Sequence, residues 1–267
     1  MKSLITVLLA SCVLTSTTLH AQDYEIIEPV SSNSKIDVKK LKFGIFFAPT
    51  ISWMKPTASK SDDGTYMVES LGSKMGYTWG LMIDYFFTEN YGLYTGFQIN
   101  TSGGKILASY PAHLLPGPNT VYKADFNYTV QYLEFPFNFK FKTDEIGKTD
   151  YKAFAQLGLT AGFNIGKRAN YTVHYTDEHT NMKTATGSRE RLAGGLTMAP
   201  MMLQLNVGAG LERPITDKLV AYAGIFFNNG LLPDATNPKE FKLGYNGTFG
   251  DGKVRLNNFA LKLGIFF

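Results

Sequence analysis

The sequence predicts an all-β fold, an eight-stranded antiparallel up-and-down transmembrane β-barrel, from three observations. Apolar residues recur at every second position in eight separate segments, which is the period of a pleated strand. Short and long connections alternate between these segments, as they do in membrane barrels. Aromatic residues are abundant, with 20 Phe and 15 Tyr beside 26 Gly, and this mixture favours β-structure with special backbone positions.

Composition and charge exclude several other classes of protein. Disordered chains lack the 44% hydrophobic and 14% aromatic residues found here, and a single Cys cannot build a disulfide scaffold. Beyond the N-terminus, no run approaches the roughly 20 apolar residues that a spanning helix needs. The net charge of +4 is weak and scattered, so we expect no nucleic acid partner.

The N-terminus carries an export signal over residues 1–21. A short positive region, Met1–Ser3, precedes an apolar region, Leu4–Leu14, and a small and polar region that ends at Ala21. This order predicts a secretory signal peptide with cleavage between Ala21 and Gln22, because the apolar region is too short to span a membrane.

Two further expectations concern the region before the strands. Residues 9–12 resemble a lipobox, so the alternative to cleavage after Ala21 is a lipidated N-terminus at Cys12. Residues 22–39 are polar and lack clear periodicity, and we expect a periplasmic N-terminal segment there. The outer-membrane β-barrel domain is predicted over residues 40–267.

Each strand is assigned from the odd-numbered apolar residues that it would turn toward lipid. Gly, polar and charged residues occupy many of the even positions, which would face the interior. Most segments are long enough for the roughly 9–11 residues of a tilted membrane crossing. The eight segments of outward residues are Leu41–Phe47, Tyr77–Phe87, Tyr91–Ile99, Leu133–Phe141, Tyr151–Ile165, Met201–Leu211, Leu219–Phe227 and Phe259–Phe267.

Two segments depart from this simple pattern. Phe126–Tyr132, just before the outward residues of the fourth strand, carries its apolar residues at even positions. We therefore expect a bulge near Tyr132 and Leu133 that restores the outward direction. The seventh strand, Lys218–Phe227, is apolar on both faces, and we assign its odd positions to the outside.

The connections between strands differ strongly in length. Three are short, namely Thr88–Asn90, Thr143–Asp150 and Pro214–Asp217, and four are much longer, near residues 55–76, 107–125, 167–197 and 233–253. Membrane barrels have short periplasmic turns and long extracellular loops. The long connections are therefore predicted to be extracellular, and loops of that length are commonly functional.

Three features favour a membrane barrel over a secreted, lipocalin-type barrel, which would show the same alternation. The even positions mix Gly with Lys, Gln, Asn and Glu, which suits a narrow lumen. An alternating strand that ends in Phe267 resembles the signal read by the barrel-assembly machinery. Aromatic residues beside the short turns predict an interfacial girdle made of Tyr85, Phe87, Tyr91, Phe139, Phe141, Tyr151 and Phe267.

These features predict a location and two partners. We expect the protein in the cell outer membrane, in contact with outer-membrane lipids. We also expect the barrel-assembly machinery as its partner during biogenesis. Hydrocarbon offers no hydrogen-bond partner for an open sheet edge, so the sheet must close.

The even positions also predict which side chains fill the lumen. The charged ones are expected to pair across the interior, because burying them singly is costly. Structural filling is the favoured interpretation, and a proton or solute pathway is the alternative. The predicted lumen residues are Lys42, Asp84, Glu134, Lys140, Lys152, Gln156, Gln204, Glu212 and Lys262.

Strand and turn signatures lie in Phe43–Ile45, Ser52–Pro56, Asp84–Leu93, Tyr132–Pro136 and Leu261–Phe267. With these segments, the chain from about Lys40 onward resembles the PorT-like outer-membrane β-barrel proteins. The resemblance implies an eight-stranded barrel. The best-known member is a component needed for type IX secretion, the export of surface proteins and proteases. No catalytic residue is transferred by this resemblance.

Two short motifs do not amount to a chemical site. Gly247–Lys253 matches the first seven positions of a P-loop, but Val254 stands where Ser or Thr is needed, and a strand follows. The polar cluster His174–His179 lacks zincin spacing and is predicted to be a loop. We therefore predict no catalytic, cofactor-binding or metal-binding residue, and no cofactor.

The sequence predicts a non-enzymatic component of the cell envelope, structural or accessory, for which type IX secretion is one such role. Secretion-complex proteins would then contact the loops or residues 22–39. One alternative is a loop-mediated surface-binding or adhesion protein. A small porin-like channel is less favoured, because eight strands leave a filled interior. An omptin-like protease or lipid A hydrolase would use His113, His174 or His179, which lie in the predicted extracellular loops.

Overall fold

The structure is a computed structural model that describes residues 41–57, 67–110, 116–191, 199–233, 241–242, 246–247 and 254–267. The predicted signal peptide, Cys12, the segment 22–39 and His113 lie outside these residues. Within the described part of the chain, no helix is long and apolar enough to cross a membrane.

The described residues are almost entirely β-strand. Consecutive long strands pair antiparallel, and β6 is an added strand that pairs only with the last part of β5. The strands are β1 (Leu41–Pro56), β2 (Met67–Phe86), β3 (Tyr91–Ser109), β4 (Val121–Glu145), β5 (Lys152–Thr176), β6 (Met182–Arg191), β7 (Met201–Pro214), β8 (Val220–Gly230), β9 (Phe241–Lys242), β10 (Asn246–Gly247) and β11 (Val254–Phe266).

Eight of these strands close into a ring. β1 to β5 pair in sequence, β5 pairs with β7, and β7, β8 and β11 lead back to β1. The strand β6 stands beside this ring, and β9 pairs only with β10. The predicted eight-stranded antiparallel up-and-down barrel is confirmed.

The register of the ring determines how far its strands tilt. Paired residues lead from Ser52 on β1 through β11, β8, β7, β5, β4, β3 and β2 to Lys42 on β1. Ser52 and Lys42 are ten residues apart, so one circuit shifts the register by ten. At about 3.3 Å per residue and about 4.8 Å between strands, this stagger tilts the strands by about 40°. Such a barrel has room inside only for side chains.

The predicted alternation holds near the short turns, which define the turn end of the barrel. Phe43, Ile45 and Phe47 are exposed on the outside of β1, whereas Phe46 and Ala48 are buried inside. The odd positions of β8 also face outward, as predicted. The aromatic girdle is confirmed, since its members stand on the outer surface beside the turns. Tyr91 and Phe141, for example, meet edge to face with ring centroids 5.8 Å apart.

The predicted bulge in β4 is wrong. Phe126, Tyr128, Val130 and Tyr132 are buried in the interior, on the same face as the buried residues farther along β4. The register does shift beside Tyr132, but the extra residue is Ile165 on β5. The strand β4 keeps its direction because the barrel interior at this level is apolar and accepts these aromatic side chains.

The predicted long connections are partly strand. β4 and β5 each have 25 residues, far more than the roughly 9–11 that cross a bilayer. We call the added part the loop-end wall, formed by residues 67–73, 103–109, 121–131, 167–176 and 182–191. Its outward side chains include Asp125, Asn127 and Asn170, while its inward ones are apolar. Apolar side chains thus face inward here, whereas at the turn end they face outward. Because of this reversal, the sequence pattern did not predict these strands.

One seam of the barrel is closed by side chains instead of a regular ladder. The register between β2 and β3 is interrupted between Gly72 and Tyr77. There, the Ser52 hydroxyl accepts a hydrogen bond from the Gly103 amide (3.0 Å) and lies 2.8 Å from the Gly103 carbonyl. Lys74 passes over Gly103, which has no side chain, and reaches β4. The Ser52 hydroxyl, which also donates to the Lys74 carbonyl (3.2 Å), thus bonds backbone groups of both strands at the interruption.

Replacing Lys74 by Met should destabilise this seam. The Lys74 ammonium donates to Asn127 Oδ1 (3.0 Å), the Tyr128 carbonyl (3.0 Å) and Thr129 Oγ1 (2.5 Å). Losing hydrogen bonds from a charged group should lower the free energy of unfolding by about 1–3 kcal/mol. Urea unfolding in detergent micelles, followed by Trp fluorescence, measures the change.

The matched control is Lys105→Met, which removes an exposed ammonium from the same outer face. It should alter the free energy of unfolding by less than about 0.5 kcal/mol. Equal destabilisation by both substitutions would contradict the role given to Lys74.

Candidate functional site

The lower layer of the lumen, next to the turn end, is organised around Lys140. Its ammonium group lies 2.5 Å from Asp84 Oδ2 and also contacts Glu212 Oε1. Lys142 reaches the other oxygen of Glu212 at 3.3 Å. Lys140, Asp84 and Glu212 are buried, and Lys142 supplies the second positive charge that balances the two carboxylates where water is excluded.

Aromatic rings enclose this buried cation. Lys140 Nζ lies 4.8 to 5.7 Å from four ring centroids, within the range of cation–π attraction. Tyr222 also stacks on Phe154 with the centroids 4.7 Å apart. The rings fill the cross-section of the barrel around the ammonium group. They are Phe86, Phe154, Tyr222 and Phe266.

The middle layer links a cation and a carboxylate through an amide. Lys262 Nζ lies 3.5 Å from Gln98 Oε1, and Gln98 Nε2 donates to Glu134 Oε2 at 2.5 Å. Asn100 Nδ2 donates to the other oxygen of Glu134 at 2.6 Å. Glu134 and Lys262 are thus paired across the lumen, as the sequence predicts, but by hydrogen bonds through Gln98 and without direct contact.

Four asparagines extend the polar layer around the wall. Asn138 donates to Asn206 (2.9 Å), Asn206 donates to Asn228, and Asn228 donates to Asn258 (2.7 Å). Asn138 and Asn206 reach each other across β5 because Gly158 lies between them in the register. A Cβ atom at Gly158 would lie 2.5 Å from the Asn138 amide oxygen. This hydrogen-bonded ladder ties β4, β7, β8 and β11 together.

The upper layer, beneath the loop-end wall, is an apolar cluster. It draws residues from seven strands of the ring and packs Phe126 on Tyr128 with ring centroids 5.6 Å apart. Along the strands that the structure describes, the lumen is thus filled by a charged, a polar and an apolar layer in turn. The cluster consists of Met54, Val68, Ile106, Ala108, Val121, Ala124, Phe126, Tyr128, Val130, Tyr132, Ala169, Tyr171, Val173, Met202, Val254 and Leu256.

The structure places most of the predicted lumen residues inside the barrel. Asp84, Glu134, Lys140, Gln156, Gln204, Glu212 and Lys262 are fully buried. Lys42 and Lys152 are only half-buried at the turn end, where Lys152 lies 3.7 Å from Glu145. Sequence reasoning left out Lys142 and the asparagine ladder. Asn138 and Asn206 occupy even positions within the assigned segments, and Lys142, Asn228 and Asn258 lie one residue beyond them.

The polar cluster around His174 is an exposed turn together with the strand that precedes it. His174 lies on β5, with Nδ1 3.0 Å from Thr184 Oγ1 on β6. Asp177 accepts hydrogen bonds from the amides of His179 and Asn181. Slight desolvation raises the pKa of Asp177, but these hydrogen bonds and the Asn181 side chain outweigh it and hold the pKa below its ordinary value.

The Asp177 carboxylate therefore stabilises the turn through these hydrogen bonds. Among the described residues, no group of three or more His, Cys, Asp and Glu side chains is placed to hold a metal ion. Most of the P-loop-like segment, residues 248–253, lies outside the described residues.

The outer surface of the loop-end wall carries a groove with a mixed polar and apolar lining. Its volume is about 320 Å³, and it lies where β2, β3, β4, β5 and β6 are adjacent. Polar side chains that point away from the barrel supply most of its rim. The outward-facing polar residues that line it are Lys105, Asp125, Asn127, Asn170, Thr172, Thr186 and Ser188.

Comparison of the sequence with protein-family models identifies the family of the chain. The family model for an outer membrane protein beta-barrel domain matches residues 21–228, most of the chain. The chain belongs to this family. The barrel is therefore an outer-membrane protein. From the usual arrangement of such barrels, we expect the short turns on the periplasmic side and the loop-end wall on the extracellular side.

Solved outer-membrane proteins are also similar to this outer membrane barrel. Neisserial surface protein A has 9% identity and a TM-score of 0.39, covering 84% of this chain and 95% of its own. OprG from Pseudomonas aeruginosa has 11% identity and a TM-score of 0.40, covering 85% and 94%. Ail, the attachment invasion locus protein of Yersinia pestis, has 14% identity and a TM-score of 0.33, covering 85% and 97%. No curated protein matches the sequence.

Replacing Lys140 by Met should strongly destabilise the outer membrane barrel. The substitution leaves Asp84 and Glu212 buried without the cation that lies between them. Breaking a buried ion pair from one side costs about 3–5 kcal/mol. Equilibrium unfolding in urea, with the protein folded into lipid vesicles, measures the loss.

Lys152→Met is the control for this experiment, because Lys152 forms a partly exposed ion pair with Glu145 at the periplasmic rim. That change should cost less than about 1 kcal/mol. Similar losses in the two variants would argue against a special role of the buried cluster.

Proposed function

We propose that this outer-membrane protein is a non-enzymatic structural or accessory component of the cell envelope. Its filled lumen is the observation that carries the proposal. Three layers of buried side chains occupy the interior of the described strands, so solutes have no room to pass. The protein then acts through its two rims and its outer surface, where it meets other envelope molecules.

His174 is one of the histidines that an enzyme of this architecture would use, and it lies on β5 beside β6. His174 is adjacent to Thr184, and none of the ion pairs formed among the described residues includes His174. A nucleophile and base need a third group that orients the base. His174 and Thr184 therefore form a cross-strand hydrogen bond that joins β5 and β6.

Type IX secretion is the envelope process that we propose to test first. The support is the PorT-like resemblance of its strand and turn segments, which lie in β1, β2, β3, β4 and β11. In this role, secretion-complex proteins would contact the loop-end wall or the periplasmic rim.

Surface binding is the second candidate, and the groove on the loop-end wall favours it. The groove lies on the loop-end wall, beyond the part of the barrel whose outward side chains are apolar. On this placement it faces water and the polar part of the outer leaflet. Ordering the many residues of a wall that extends far beyond the bilayer costs conformational entropy. Such an extension is consistent with a binding surface.

The filled lumen predicts no steady ion conductance. Pure monomeric protein is inserted into planar lipid bilayers, and the current is recorded over a range of voltages and salt concentrations. We expect the baseline current, whereas a general porin inserted in the same lipid provides the positive control. Reproducible conductance steps from the pure monomer would contradict the proposal.

Deletion of the gene should separate the two candidate roles. In the deletion strain, surface-exposed proteins are identified by mass spectrometry, and adhesion of the cells to protein-coated and uncoated surfaces is measured. A general loss of exported proteins, restored by the wild-type gene, is expected for the secretion role. Normal export with lost adhesion would contradict that role and support surface binding.

The groove offers a variant that sharpens this test. Thr186→Arg places a bulky cation in the groove, and Met182→Arg places one on the same strand outside it. For surface binding, adhesion should fall with Thr186→Arg and persist with Met182→Arg.

A further inference from the structure

A concave apolar groove lies on the lipid-facing surface near the periplasmic rim. Its volume is about 850 Å³, within the range of small-molecule sites. It runs along the outside of β8, between β7 on one side and β11 and β1 on the other. This groove is distinct from the loop-end wall and from the lumen.

Two alanines create the groove. Ala223 is paired with Leu211 on β7 and with Leu263 on β11, and all three face outward. Ala221, one step closer to the periplasmic rim, is paired with Ile265 on β11. Small side chains on β8 between large ones on its neighbours leave a trough whose floor is β8.

The lining of the trough suits a hydrocarbon chain. Its walls continue from β11 onto β1, where Ile45 and Phe47 line it. The lining is mostly apolar, and it is open to the bilayer along its side. An acyl chain in this trough would contact side chains on both flanks as well as the alanine floor, and would gain dispersion contacts that a flat barrel surface does not offer.

A guanidinium group stands at the periplasmic end of the trough. Arg213 is paired with Ala221 and points outward. Its guanidinium lies 5.0 Å from the ring centroid of Tyr151, and Nη1 donates to the Tyr151 hydroxyl at 3.3 Å. Tyr151 belongs to the aromatic girdle, so the guanidinium is held at the depth of the lipid headgroups.

The charge of Arg213 has no carboxylate partner in the described structure. None of the ion pairs formed among the described residues includes Arg213. A guanidinium has five N–H donors in a planar fork that matches a phosphate, and Tyr151 takes only one of them. An unpaired, oriented cation at the mouth of an apolar trough is complementary to a molecule with one phosphate and a hydrocarbon tail.

We propose that this groove binds one glycerophospholipid of the periplasmic leaflet. One acyl chain lies along β8 over Ala223 and Ala221, and the phosphate accepts hydrogen bonds from Arg213. The site would hold this lipid in preference to the surrounding bilayer, because the phosphate and the chain are recognised together.

Native mass spectrometry of the full chain tests the proposal. The protein is folded into nanodiscs of palmitoyl-oleoyl phosphatidylglycerol, released from them in the gas phase, and scored for retained lipid. Arg213→Gln removes the phosphate contact, and Ala223→Leu fills the floor of the groove. Lys218→Gln removes a cation from the adjacent turn, and Ala161→Leu enlarges a lipid-facing alanine on β5 outside the groove.

The wild type and both control variants should retain one phospholipid per barrel. Occupancy should fall about tenfold in Arg213→Gln and in Ala223→Leu, the change expected for loss of one charge-assisted contact or of the chain site. Circular dichroism confirms that each variant is folded.

Three results would overturn the proposal. The first is equal retention in all five proteins, and the second is equal loss in the controls. The third is a concentration-dependent dimer that Ala223→Leu dissociates, since the groove would then be filled by a second copy of the chain.

Discussion

The structure depends on one constraint, the need of every backbone amide and carbonyl in the bilayer for a hydrogen-bond partner. Hydrocarbon supplies none, so a sheet that crosses it must close. Eight strands meet this requirement with a register shift of ten residues between Ser52 and Lys42. Where the β2–β3 ladder is interrupted, the Ser52 hydroxyl bonds the carbonyls of Lys74 and Gly103 on the two strands. Closure with so few strands leaves an interior that only side chains can occupy.

The side chains in that interior are then arranged by charge and polarity. Lys140 can be buried because Asp84 and Glu212 contact it, and Glu134 because two amides donate to it. Gly158 provides the space through which the asparagine ladder passes. Because the lumen is filled in this manner, the surfaces left for interaction are the loop-end wall and the lipid-facing groove near the turn end.

The sequence predicts the membrane-spanning half of this molecule well, because strand alternation there has one sense, apolar outside and mixed inside. It fails where that sense reverses. In the part of β4 that precedes Leu133, Phe126 and Tyr128 are buried and Asn127 faces outward, a pattern that predicts a bulge and a loop from sequence alone. The groove beside Arg213 was also not predictable, since it requires Ala221 and Ala223 to lie between large residues of strands distant in the chain.

The continuous face of β4 is the most direct test of this account. Single cysteines in a Cys12→Ser background are spin-labelled along residues 124–141, and accessibility to oxygen and to a water-soluble nickel chelate is measured in vesicles. We predict that even positions are shielded from both reagents throughout. Odd positions should prefer oxygen from Leu133 to Phe141 and the nickel chelate from Asp125 to Thr129. Exchange of the shielded and accessible positions at Tyr132 would contradict the continuous, filled barrel.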